Sequence, residues 1–274
     1  MRRLINWHPS PAGAILLGAL PFLLLLAVYL VASDIRQSEN PNDKLLPPLS
    51  AFMEAIDRIA VQRDLRSGGI LLWSDTAASL RRLIIGLGCA TAIGFVFGVA
   101  TGLLPYAGRM FSPFIAVLSM VPPMALLPIL FIVFGLGELS KIVLIIVGVA
   151  PFMMRDVAMR VGELPPEQII KAQTLGGSTW QIILRIVAPQ IFPRLIDAVR
   201  LSLGPAWLFL IAAEAIAATE GLGYRIFLVR RYLAMDIILP YVAWITLLAF
   251  LSDYLLKKLQ RRFFVWFLPE RGGA

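Results

Sequence analysis

The sequence predicts an all-α integral membrane protein with six transmembrane helices. Hydrophobic residues make up 59% of its 274 positions and charged residues 15%, with a mean hydropathy of +0.81. An ordinary water-soluble domain carries roughly 25% charge. The apolar residues gather into runs long enough to cross about 30 Å of hydrocarbon. Lys and Arg concentrate between and beyond those runs, where basic loops orient a membrane protein.

The first run, residues 12–32, follows a short tail (1–11) carrying Arg2 and Arg3. It exceeds the roughly 7–15-residue apolar core of a signal peptide and is read as an uncleaved first span with its tail in the cytoplasm. Further runs cover 80–104, 111–134, 139–154, 201–218 and 237–256. Six crossings put both termini inside, leave 33–79 as an extracytoplasmic segment, and make 257–274 a basic cytoplasmic tail. Arg81, Arg82, Lys141 and Arg225 then fall outside, and Arg155, Arg160, Lys171, Arg194 and Arg200 inside. Within 33–79, Ser50 is placed to cap a helix whose apolar positions Leu49, Phe52, Met53, Ile56, Ile59 and Ala60 recur at helical spacing. Such a helix either lies on the outer membrane face or packs against the bundle.

The formal charge of +8 follows from basic residues flanking apolar runs, so no nucleic-acid partner is expected. His8 and Cys89 are the single histidine and cysteine. That inventory rules out a disulfide within the chain, a His/Cys metal cluster and a His-activated nucleophile.

In the second run Gly86, Ala90, Gly94, Gly98 and Gly102 recur every fourth residue, a ridge of small side chains against which another helix backbone can close. The third run holds Pro122 and Pro123 near its middle, where two missing backbone donors should break the helix. An interrupted helix persists in lipid where neighbours or a watery cavity satisfy its freed carbonyls. Ser119, Met120, Pro122 and Pro123 are therefore candidates to line a pathway, against the alternative of a packing kink. Trp207 and Glu214 in the fifth run are further candidates. Glu214 is an ionisable group at membrane depth, which marks a functional position or a structural bridge to a basic neighbour.

Residues 161–193 are too polar to cross lipid and rich in helix punctuation. Pro166 suits a first helical position and Glu167 the helix dipole, and Gly176 with Gly177 ends that turn. Ser178 and Gln181 have the spacing of a capping box, and Pro189 is expected to stop the helix that begins at Thr179. The product is a compact knob, with Ile169, Ile170 and Ala172 on one side, suited to a groove on a partner protein.

In this loop Ala172, Gly176, Ile186 and Pro189 match the spacing of the EAA loop, the coupling helix of ATP-binding cassette (ABC) importer permeases. Val121-Pro-Pro-Met-Ala-Leu-Leu-Pro128, Phe134-Gly-Leu-Gly-Glu-Leu-Ser-Lys141, Ala213-Glu214-Ala-Ile-Ala-Ala and Gly221-Leu-Gly-Tyr224 extend the match. From about residue 80 to 253 the chain resembles the nitrate/sulfonate/taurine branch of binding-protein-dependent inner-membrane permeases. It departs from that pattern at Ile170-Lys171-Ala172, where the family has Glu-Ala-Ala, and at Ala188, which replaces a Leu before Pro189.

The resemblance implies a type I (MetI-like) importer fold in the bacterial inner membrane. The permease pairs with a second permease chain, as a homodimer, and binds two ATPase subunits inside and a solute-binding protein outside. Ile170, Lys171, Ala172, Gly176, Gly177, Ser178 and Pro189 would couple to the ATPase. The solute would be small and polar: nitrate, a sulfonate such as taurine, or a urea- or guanidine-like nitrogen compound. The chain has no Gly-x-x-x-x-Gly-Lys-Ser/Thr sequence, so ATP and Mg²⁺ would be held by the partner ATPases and the chain is not itself an enzyme. A secondary transporter or channel, the alternative, would show an internal repeat that these two halves lack.

Overall fold

The computed structural model describes residues 10–40, 43–63 and 68–267, whose regular structure is helical throughout. Arg2, Arg3, His8 and residues 268–274 of the expected basic tail lie outside the described residues. In chain order the helices are α1 (Pro11–Glu39), α2 (Leu49–Ala60), α3 (Leu71–Leu103), α4 (Pro105–Leu118), α5 (Leu127–Phe134), α6 (Glu138–Gly162), α7 (Pro166–Thr174), α8 (Thr179–Ile182), α9 (Ala188–Ala217), α10 (Leu222–Arg230) and α11 (Met235–Phe263). A 3-10 turn, Pro123–Leu126, precedes α5, and a π turn, Ile183–Val187, joins α8 to α9. Five of these stretches are long and apolar enough to cross a membrane, or six when α4 and α5 count as one broken span.

The glycine seam organises the bundle. A Cβ on Gly94 would lie 2.5 Å from Met153 Cβ, one on Gly98 2.5 Å from Val157 Cβ, and one on Gly86 2.9 Å from Ile145 Cβ. The partners advance along α6 as the glycines advance along α3, so the two helices run parallel with backbones closer than any larger side chain allows. Glu214 near the end of α9 meets Arg82 near the start of α3, so α9 is antiparallel to both. Tyr241 near the start of α11 meets Asp75 of α3, which returns α11 to the direction of α3. The bundle thus has an α10 end, where α3, α6 and α11 begin, and an α7 end, where α3 and α6 finish.

The helix break falls where the proline pair predicts it. The α4 helix stops at Leu118, and the axis turns by 81° before α5, because neither Pro122 nor Pro123 has an N–H to continue the ladder.

Several expected boundaries shift. The α3 helix starts at Leu71, not at residue 80. Its first turns carry Asp75, Thr76, Ser79 and Arg82, which lower the local hydropathy, yet all four are buried inside the bundle. The α6 helix continues to Gly162 through Arg155, Asp156 and Arg160. Pro189 does not stop the helix that begins at Thr179; the helical run continues to Ala217. A proline ring normally collides with the carbonyl four residues back. Here the preceding turn is widened, with Ala188 N–H bonding to Ile183 C=O, and the ring is accommodated without a break.

Pro48, not Ser50, occupies the cap position of α2, which has no side-chain cap bond. That helix packs on the bundle through Ala55 and Ile59, while Leu49, Met53 and Ile56 stay exposed. Tyr29 of α1 donates to Pro47 C=O at 2.7 Å and Ser33 to Leu46 C=O at 3.0 Å, tying α1 to the approach to α2.

Candidate translocation cavity and coupling hairpin

At the α10 end a buried ionic cluster joins five helices, α3, α6, α9, α10 and α11. The Arg82 side chain is 1% exposed. Its Nη1 donates to Glu214 Oε1 at 2.7 Å and to Glu220 C=O at 2.9 Å, and its other nitrogens grip the Glu138 carboxylate. The Glu214 carboxylate also accepts from Ser79 Oγ at 2.8 Å and from Gly223 N–H at 2.9 Å. One turn away, Asp75 accepts from Gly221 N–H, Arg225 Nε and Tyr241 O–H at 3.0, 2.8 and 3.1 Å. Gly221 has φ +125°, and a Cβ there would lie 2.6 Å from the Glu214 carboxyl carbon and 2.7 Å from Arg82 Nη1. The Gly221-Leu-Gly motif is thus the backbone clearance that lets α10 deliver its N–H groups to two buried carboxylates.

Of the two readings of Glu214, this geometry favours the structural bridge. Its carboxylate is fully buried and bonded to Arg82, Ser79 and Gly223, tying the end of α9 to α3 and α10. A buried charge persists only when paired and hydrogen-bonded, and both carboxylates here are.

A cavity of about 740 Å³ opens at the helix break, between α4, α6 and α9. Ser112, Ser119, Pro123, Pro151, Arg155 and Phe209 are on its wall. Arg155 Nη1 donates to Ser119 Oγ at 2.9 Å, bridging α6 to the end of α4. Of the candidate pathway residues, the structure brings Ser119 and Pro123 to this wall. Met120 and Pro122 are exposed on the same turn but do not line it. Trp207 is buried in the core cluster with Leu203, Ala206 and Leu210 and is not on the cavity wall, and its Nε1 lacks a hydrogen-bond acceptor among the described residues.

At the α7 end the loop forms a rigid hairpin. Gly177 N–H bonds to Ala172 C=O at 2.9 Å and Gly176 N–H to Gln173 C=O at 3.0 Å, the paired bonds of a Schellman ending. Gly176 supplies the left-handed residue this ending needs, at φ +79°. The next helix starts at once, with Gln181 N–H bonding to Ser178 Oγ at 3.3 Å and Ser178 N–H to Gln181 Oε1 at 2.9 Å, so the capping box read from the sequence is present.

The hairpin presents a different face from the one expected. Ile169 and Ala172 turn inward onto a second core cluster that includes Val157, Val161, Leu164 and Ile182. Outward stand Ile170, Leu175 and Trp180, at 55%, 87% and 67% exposure. Lys171, Gly176 and Ser178 are exposed beside them, Gly177 is partly buried, and Pro189 lies beyond, in the long helix.

The sequence reading missed Asp75 and Ser79 because it began the second span too late, and it counted Arg82, at the start of that run, only as an outside basic residue. A signal was present: these residues continue the Gly86–Gly102 ridge outward at steps of three and four. The same face that packs through glycines carries the polar cluster. Arg225 and Tyr241 left no comparable trace, since their role depends on which helices meet.

A helical bundle that opens a cavity at a broken span and carries a capped hairpin beneath it is a membrane transport permease. Residues 90–265 match the family described as binding-protein-dependent transport system inner membrane component, and the chain belongs to that family. It is 34% identical over 265 residues to the taurine transport system permease protein TauC of Escherichia coli (strain K12), covering 96% of this chain and 94% of that protein. The nitrate import permease protein NrtB of Synechococcus elongatus is 29% identical over 210 residues, 76% of this chain and 75% of that protein. An inward-facing structure of the MetNI methionine ABC transporter shares the fold, with a TM-score of 0.62 at 21% identity over 70% of this chain and 95% of that chain. The chain is an ABC-importer permease of the MetI type.

Proposed function

We propose that two copies of this permease form one pathway, with the α7 end in the cytoplasm. An ATPase subunit docks under each hairpin, and a solute-binding protein delivers its load at the α10 end. ATP and Mg²⁺ belong to the ATPases, in keeping with a sequence that has no phosphate-binding loop. Basic residues gathered at the α7 end, among them Lys171, Arg185, Lys257 and Lys258, favour that orientation. The near full-length likeness to a taurine permease favours a small sulfonate as the solute, with nitrate and urea- or guanidine-like compounds as alternatives.

The hairpin carries this reading. Ile170, Leu175 and Trp180 are large apolar side chains held at the tip of a rigid turn, and nothing in the described chain covers them. The opposite face, through Ile169 and Ala172, is welded to the ends of α3, α6 and α9. A push on the tip therefore moves three spans together, the rigid-body element that alternating access requires. Leu175→Asp tests it. The variant should reach the membrane at the normal level and lose copurification with the ATPase; undiminished copurification would remove the hairpin from the interface.

A further inference from the structure

Arg155 is the one basic side chain on the cavity wall among the described residues, and it forms no ion pair there. Three arginines further towards the α7 end are paired with carboxylates. Arg160 faces Asp156 at 3.6 Å and Glu163 at 3.5 Å, Arg194 faces Glu163 at 2.7 Å, and Arg200 is held by Asp197 and Asp253. Asp156, the other charge on the wall, is the carboxylate that Arg160 engages. Arg155 is exposed at the cavity mouth with no carboxylate of the described residues facing its guanidinium, so its charge is open to an anion that enters the cavity.

The guanidinium is also oriented. One nitrogen donates to Ser119 Oγ, whose own proton goes to Ala116 C=O at 2.8 Å. Ser119 is itself fixed at the abrupt end of α4. A guanidinium has five N–H donors in a planar fork, and the Ser119 contact uses one of them. The remaining donors match the spacing of two oxygens on a small oxyanion, and such bidentate bonds are shorter and stronger than neutral ones.

We propose that Arg155, held in place by Ser119, is an anion subsite of the translocation cavity that takes the sulfonate or nitrate-like group of the solute. The assignment rests on reading this cavity as part of the pathway. It adds a charge-selecting residue within the permease to whatever selection the binding protein performs.

Thermal unfolding of the full-length protein, extracted in mild detergent with its bound subunits, tests the proposal without requiring transport. Methanesulfonate and dimethyl sulfone share a shape and differ in charge. Methanesulfonate should raise the unfolding midpoint, because a ligand of the native state stabilises it, and dimethyl sulfone at equal concentration should not. The difference should vanish in Arg155→Gln and persist in Arg155→Lys; Arg155→Met serves as the second charge-free variant should the glutamine form not be recovered. Equal shifts for the two solutes, or an undiminished difference in the charge-free variants, would overturn the subsite. So would loss of the shift on adding phosphatidylglycerol, which would give the guanidinium to lipid headgroups. Since no ATP is involved, failure here is separable from failure of the importer reading, which only driven uptake addresses.

Discussion

Arg82 and Glu214, 132 residues apart in sequence, meet at 2.7 Å with side-chain exposures of 1% and 0%. Their contact joins the start of α3 to the end of α9. With Glu138 on the same guanidinium, it fastens three spans at the end of the bundle remote from the hairpin. The hairpin core at the other end joins the same three helices. The bundle is clamped at both ends, and the broken span between α4 and α5 is the part left to rearrange.

The clamp predicts an asymmetric mutational response. Glu214→Ala takes one of three partners from the buried Arg82, leaving Glu138 and Glu220 C=O, and strips Ser79 and Gly223 N–H of their acceptor; it should cost up to about 3–5 kcal/mol, the usual penalty for breaking one side of a buried pair. Replacing both, as Arg82→Met with Glu214→Leu, should recover part of that loss. Unfolding midpoints of the detergent-solubilised single and double variants measure it, and a double variant no better than the singles would speak against a closed pair.

The glycine ridge predicts a sharp positional contrast. Gly94→Ala places a Cβ 2.5 Å from Met153 Cβ, whereas a Cβ on Gly88 meets nothing within 4 Å. Gly94→Ala should therefore destabilise by about 1–3 kcal/mol, as overpacking does, and Gly88→Ala should be neutral or slightly stabilising. Yield and thermal stability compared side by side decide it.

How much of this was legible in the sequence depends on how local each signal is. The seam, the proline break, the Schellman ending at Gly176 and the capping box at Ser178 each depend on residues within a turn or two, and each is present in the structure. The start of α3 was misjudged because Asp75 and Ser79 are buried rather than solvated and resemble loop residues until their partners on other helices are known. The end of α6 was misjudged because the helix simply runs on past its apolar stretch through the exposed Arg155. Pro189 misled for a related reason: whether a proline ends a helix depends on whether the turn before it can widen. The face of α7 that turns outward was misassigned because Ile169 and Ile170 are both apolar, and only packing on Val161 and Ile182 separates them.

Gly176 gives a third prediction. At φ +79° a β-branched residue is strained where asparagine is tolerated. Gly176→Val should leave the protein in the membrane but lower ATP-driven uptake at least tenfold, and Gly176→Asn should retain most of it. Equal uptake by both would mean that the turn geometry does not transmit the stroke.

Accessibility gives a fourth. In a Cys89→Ser background, Ser119→Cys on the cavity wall should react with a water-soluble thiol reagent. Trp207→Cys, enclosed in the core, should not. Labelling followed by mass shift reads both, and equal reactivity would misplace the cavity.

The account rests on a bundle that moves solute only when driven through its hairpin. Uptake of labelled taurine into proteoliposomes tests this most directly, comparing the permease alone with the permease joined to its ATPase, its binding protein and ATP. Accumulation only in the complete, ATP-supplied vesicles is the predicted result. Equilibration of the solute by the permease alone, without nucleotide, would contradict the account.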